Sequence, residues 1–211
     1  MAKKNNEIPV VITFREMRIA VGILGIALPF ILILPGLFLS DIGGVLPTIS
    51  AYYYSSMRGV MTGILFAISF FLICYKGYDA WDNWSTNTAG VMCALIALIP
   101  EFNAIAPWSC IIDKNVSDLI HSASAGISFI ILGLISLFLF TRTHEGKKIK
   151  THGTKAWKNI LFRTAGVIII AMALTLLALH FTPMKSSVIN IVCETVMLVS
   201  FGVSWLVKGV F

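Results

Sequence analysis

Six runs of apolar residues, each about 20 long, alternate with shorter polar stretches along the 211-residue chain. They cover Arg18–Ser40, Met57–Gly77, Asn87–Pro107, Leu119–Phe140, Asn159–Phe181 and Ser187–Val207. At a rise of about 1.5 Å per residue, a helix of about 20 residues crosses the roughly 30 Å of hydrocarbon in a bilayer. The pattern predicts an all-α, polytopic membrane protein with six transmembrane helices in one bundle. Residues 1–17 form a cytoplasmic N-terminal segment, and 18–211 form the transmembrane domain. No internal repeat or low-complexity segment is evident.

Polar and small positions inside these runs refine the picture. Pro29 and Pro35 each remove a backbone donor from the first helix, which predicts a kink with its outer half tilted or broken. Gly59, Gly63 and Ala67 lie four residues apart, a small-residue stripe suited to close helix packing inside the bundle. Ser122, Gly126 and Gly133 offer a similar surface on the fourth helix. Pro100, just before Glu101, is expected to kink or end the third. In the sixth, Asn190, Glu194, Met197, Phe201, Ser204 and Lys208 recur at alternating spacings of four and three and so share a face. Tyr75, Tyr78, Trp81, Trp84, Trp157 and Trp205 fit one interfacial aromatic belt, and Tyr52, Tyr53, Tyr54 and Trp108 the other.

Composition agrees with the membrane reading. Hydrophobic residues make up 57% of the chain and charged residues 12%, with mean hydropathy +0.88. A soluble domain carries about 25% charged residues. The net charge of +6 is unevenly distributed. With the N-terminus inside, the inner segments hold Lys3, Lys4, Arg15, Arg18, Lys76, Arg142, Lys147, Lys148, Lys150, Lys155, Lys158, Arg163 and Lys208, against Arg58, Lys114 and Lys185 outside. This bias predicts cytoplasmic termini and argues against nucleic acid, for which no folded reader is present. The basic segment 142–163 is expected to lie against anionic headgroups of membrane lipids. The first apolar run is too long for a signal peptide and lacks a small-residue cleavage site. Asn115-Val116-Ser117 reads as a chance sequon, and Cys110 with Cys193 as the one pair placed for a disulfide.

Candidate chemistry collects in one stratum. Glu194 lies about 10 Å into the sixth helix by helical rise, Glu101 near the outer end of the third, His121 at the start of the fourth, His180 at the end of the fifth. Arg58 starts the second, after an uncharged loop containing Ser50 and Tyr53. An ionisable group inside a bilayer costs several kcal/mol and normally finds a partner. Glu194 therefore pairs with Arg58 or His121 to lock the bundle, or lines a polar site for a lipid-like molecule with Ser50, Tyr53, Arg58, Glu101, His121 and Ser124. A third alternative is a zinc-type site of His121, Glu101 and Glu194, with His180 as a further ligand, activating water for hydrolysis. No HExxH spacing supports that set. His121 with His180 as haem ligands, and a nucleophile formed by Ser50 or Ser124 with His121 and Glu101, are weaker readings. His121, Ser124 and Ser128 make a polar stripe better suited to packing than conduction. Asp79 and Asp82 beside Lys76 read as a solvated acidic loop.

The residues Ser50-Ala51-Tyr52-Tyr53-Tyr54 with Arg58, Tyr75-Lys76-Gly77-Tyr78, Asp82-Asn83, Ile120-His121 with Ser124-Ala125, and Glu194 with Phe201 through Gly209 resemble a group of uncharacterised bacterial inner-membrane proteins. That group is broadly similar to domain-of-unknown-function 998 and Frag1/DRAM-like multi-pass proteins, and the likeness covers about Ser50 to Gly209. Gly59 stands where that pattern often has an acid. A fainter similarity is to the membrane hydrolases that include alkaline ceramidases, although the seventh span and terminal HxxxH pair are missing. The resemblance implies a bacterial inner-membrane protein and supplies no activity. The expectation is an integral membrane protein that handles a lipid-like molecule at the outer polar site. The alternatives are a metal-dependent hydrolase using His121, Glu101 and Glu194, or a non-enzymatic structural or partner-binding protein.

Overall fold

Thr13 opens the first helix with a capping box: its hydroxyl accepts from the Glu16 N–H while the Glu16 carboxylate accepts from the Thr13 N–H. The computed structural model describes residues 13–39, 42–77, 79–101, 113–142, 152–182 and 187–211. Its elements are α1 (Phe14–Gly36), α2 (Arg58–Cys74), α3 (Ala80–Leu98), α4 (Lys114–Leu134), α5 (His152–His180) and α6 (Ser187–Val210). A 3₁₀ turn occupies Ser50–Tyr54, and α4 continues through a wider π turn over Ile135–Leu139. All regular structure among the described residues is helical.

Among the described residues, four helices are long and apolar enough to cross a membrane: Phe14–Gly36, Lys114–Leu139, Ala156–His180 and Ser187–Val210. α2 is apolar but only 17 residues long. The third helix differs most from expectation. Instead of Asn87–Pro107 it runs Ala80–Leu98, about two turns earlier. The Asp79 side chain accepts from the Asp82 N–H at 2.9 Å and starts the helix within the polar run Trp81–Asn87. Pro100 disfavours helical geometry at Ile99 and ends it. α1 runs unbroken through Pro29 and Pro35, so of the expected tilt or break of its outer half the break is absent.

Each helix packs on its neighbours in chain order, and α6 returns to pack on α1, closing a ring. The α1–α6 seam is tight. A Cβ added at Gly22 would sit 2.5 Å from the Leu206 backbone nitrogen, and one at Gly202 would sit 2.6 Å from the Gly22 carbonyl oxygen. The expected stripe on α2 does not serve this purpose. Gly59 and Gly63 are exposed and face open space, as does Gly126 on α4, whereas Gly133 packs on α5.

α4 is polar inside and apolar outside. Ser117, His121, Ser124, Ser128 and Ser136 are buried, while Leu119, Ile127 and Phe138 are exposed. Without water, backbone and hydroxyl groups must find partners within the bundle. Ser128 donates to the Ala89 carbonyl at 3.4 Å, and the Ser136 and Ser204 hydroxyls are 2.9 Å apart. The shared polar face read on α6 is buried at Met197, Phe201 and Ser204.

One end of the ring is closed by cations and aromatic rings. Arg15 donates to the Gly209 and Val210 carbonyls at 3.1 and 3.2 Å, placing positive charge on the last turn of α6. Arg18 donates to the Tyr75 hydroxyl at 2.9 Å and Lys208 to the Phe140 carbonyl at 3.0 Å. Trp205 is 1% exposed, edge-on to Tyr75, Phe140 and Phe201 at 5.3–6.0 Å. Trp205 and Tyr75 thus belong to the core, not to an interfacial belt. Trp81 and Trp84 are exposed, as a belt requires. The acidic pair is also corrected. Arg142 bridges Asp79 at 2.8 Å and Asp82 at 3.4 Å, and the Asp82 side chain is only 4% exposed. Tyr78, Trp108, Cys110 and residues 143–151 of the basic segment lie outside the described residues.

Candidate functional site

The opposite end is built around residues 49–54. Ending α3 at Leu98 leaves carbonyls without helical partners, and three consecutive ones are taken up by side chains. Ile99 accepts from His121 Nδ1 at 2.7 Å, Pro100 from the Ser117 hydroxyl at 2.9 Å, and Glu101 from the Tyr54 hydroxyl at 2.5 Å. A carbonyl only accepts, so His121 Nδ1 carries a proton, and in the neutral imidazole Nε2 is the acceptor. Nε2 lies 2.8 Å from Ser50 Oγ. The Ser50 hydroxyl therefore donates to His121, and the imidazole is held in one tautomer by the end of α3.

The residue before Ser50 makes the second tie. The Ile49 N–H donates to the Glu194 carboxylate at 2.5 Å, joining the loop to α6. Tyr53 and Arg58 complete the arrangement: the guanidinium donates to the Tyr53 hydroxyl at 2.6 Å and lies 4.2 Å from its ring centroid. Tyr52 and Tyr53 are buried, at 0% and 6% exposure, so they are core residues of this end and not belt anchors. Six residues of loop thus contact α2, the end of α3, α4 and α6.

Of the residues expected here, Ser50, Tyr53, Arg58, His121 and Glu194 form this connected set. Ser124 is buried one turn further along α4. Glu101 takes part through its main chain, with its residue exposed. His180 is exposed at the end of α5, its ring edge-on to Phe181 at 5.4 Å, and is not brought to His121. Glu194 does not pair with Arg58 or His121. Arg142 forms ion pairs with Asp79 and Asp82 at the opposite end. Nor do three of His, Cys, Asp and Glu gather as metal ligands among the described residues. His121 has both ring nitrogens engaged by Ser50 and Ile99, which leaves the His121–Glu101–Glu194 zinc set without a geometric basis.

The main-chain participants escaped sequence reasoning: the Ile49 N–H and the Ile99, Pro100 and Glu101 carbonyls. Main-chain groups carry no residue-type signature. Pro100 is the one available signal, since a proline after an apolar helix exposes the carbonyls just ahead of it.

Beside this cluster, α1 and α6 leave an apolar groove of about 250 Å³ lined by Ile33, Val45, Ile191, Val192, Thr195 and Val196. Val45 and Val192 are about half exposed, so the groove faces outward from the bundle. No family model, curated protein or solved structure matches the chain.

Proposed function

We propose that this chain is a six-pass protein of a bacterial inner membrane, both termini cytoplasmic, that binds a lipid-like molecule at its Ser50 end. The observation that supports this is the pairing of an outward-facing apolar groove with a polar cluster on the same stretch of α6: Ile191, Val192, Thr195 and Val196 line the groove, and Glu194 lies among them. In this reading an acyl chain occupies the groove and the polar headgroup lies toward the cluster. α2 and α3 complete the six spans, with the polar first turns of α3 in the headgroup region beside exposed Trp81 and Trp84.

Native mass spectrometry of protein released from bacterial lipid tests the ligand. A retained amphipathic molecule, lost on Val192→Trp, is expected. Equal retention by that variant, or retention of nothing by folded protein, would sink the reading. Labelling of cysteines introduced at Lys148 and Lys208 tests topology. Both should react only from the cytoplasmic face, and reaction from outside intact cells would reverse the orientation.

A second reading, acyl-ester cleavage, is favoured by the Ser50–His121 geometry. The Ser50 oxygen would attack an ester carbonyl as its proton passes to His121 Nε2. The proton then leaves with the alcohol, and water releases the acid from the acyl-serine. A fluorophosphonate probe separates the readings. Labelling abolished by Ser50→Ala supports a nucleophile; labelling equal to that variant leaves Ser50 as a structural donor.

A further inference from the structure

The far end of the bundle carries a cleft that the Ser50-end reading does not use. It holds about 130 Å³ between the end of α4, the start of α5 and the last turn of α6. Since a water occupies about 30 Å³ of liquid, that is room for a small headgroup and not for a whole lipid. Arg142, Lys158, Lys208 and Asn159 line it, with Phe140 and Phe162 as its apolar wall. Lys158 and Lys208 are half-buried, and each ammonium lies over an aromatic ring: Lys158 4.8 Å from the Phe211 centroid, Lys208 5.4 Å from that of Phe140. The Lys208 contact to the Phe140 carbonyl holds its head at the cleft. Arg142 is shared with Asp79 and Asp82, which limits what it adds.

We infer that this cleft binds a phosphate group, through Lys158 and Lys208 with Arg142 and the Asn159 amide in support. Three cationic residues and an asparagine line a space the size of one small anion. A phosphomonoester supplies nearly two negative charges and three acceptor oxygens to meet them. The Phe140 and Phe162 wall excludes water on one side, which strengthens the attraction. The same chemistry is offered by the headgroup of an anionic lipid and by free phosphate. This site is independent of the ligand proposed for the Ser50 end.

The test compares phosphatidic acid with phosphatidylcholine, titrated onto the detergent-purified full chain and read by native mass spectrometry. Preferred retention of phosphatidic acid is expected, weakened about five-fold by Lys158→Gln and about as much by Lys208→Gln. Lys76→Gln, exposed and outside the cleft lining, should change it little. Equal retention of the two lipids would overturn the inference. So would a loss in Lys76→Gln as large as that in Lys158→Gln, which would mean diffuse attraction by the basic surface. Competition by millimolar inorganic phosphate that Lys158→Gln abolishes would identify the source as free phosphate. Absence of competition, with the lipid preference intact, would identify it as the lipid headgroup.

Discussion

The Arg15 end and the Ser50 end of this bundle are both closed by interactions between helices distant in sequence, but with opposite chemistry. At the first, Arg15, Arg18, Arg142 and Lys208 reach main-chain carbonyls, a tyrosine hydroxyl and two aspartates around an aromatic plug centred on Trp205. At the second, a neutral relay runs from Ser50 through His121 to the Ile99 carbonyl, and Glu194 accepts from one backbone N–H. Long cationic side chains can reach solvent from the end of a helix, so charge there is tolerated. A short serine and a ring-limited histidine cannot, and their groups must be satisfied within the protein. One end is built to meet charge at a surface, and the other to hold polar groups in a defined geometry.

Substitutions should separate the two ends by size of effect. The largest belongs to the charged end. Arg142→Ala removes the guanidinium beside the buried Asp82 carboxylate and should cost about 2 kcal/mol. That is below the roughly 3–5 of a fully buried pair, because Arg142 is half exposed. Adding Asp82→Asn to Arg142→Ala should restore most of the loss in a denaturant titration; no recovery would mean that Arg142 acts through packing.

At the neutral end, Glu194→Leu leaves the Ile49 N–H without an acceptor, a cost of about 1–2 kcal/mol. Glu194→Gln keeps an acceptor oxygen and should recover more than half of it in the same titration. Equal losses would show that the negative charge, and not the hydrogen bond, is what α6 contributes. Smaller again is Ser50→Ala, about 0.6 kcal/mol in line with interhelical hydrogen bonds in membranes. His121→Ala should exceed it, because it also strips the donor from the Ile99 carbonyl. A Ser50→Ala loss as large as that of His121→Ala would mean the loop depends on the hydroxyl alone.

The smallest effect is expected of Asp79→Asn, since asparagine also caps α3. Its signature lies in pH. The Asp82 N–H and the Arg142 guanidinium hold the Asp79 carboxyl below its usual 3.8. A carboxyl lowered in the folded state contributes stability that is present above 3.8 and fades as pH falls through the lower folded value. Melting temperature followed from neutral pH to below 3.8 should therefore fall less steeply for Asp79→Asn than for the parent chain. Parallel curves would remove Asp79 from the acid response.

How far the fold was legible varies by element. α1, α2, α4, α5 and α6 declare themselves because apolar length is a property of consecutive residues. Boundaries were harder where polar residues enter a helix: the Thr13/Glu16 capping box begins α1 four residues before Arg18, and Asp79 begins α3 within a polar run. The grouping of Ser50, His121 and Glu194 was within reach, since each falls at the same depth in its own helix or loop. Their pairing was not. Spacing placed Glu194 beside Arg58 or His121, whereas it meets a main-chain N–H, and nothing in the residue types marks that group.

The sequence by itself determined an all-helical chain with long apolar helices, a basic end and a stratum of polar side chains, because hydrophobic length and charge bias are summed along the chain. Only the tertiary structure decided the ring order with α6 against α1, the outward turn of Gly59 and Gly63, the burial of Trp205 and Asp82, and the tautomer of His121. Those depend on which helix faces which and on main-chain donors and acceptors that every residue carries alike, so they exist only once the helices have packed.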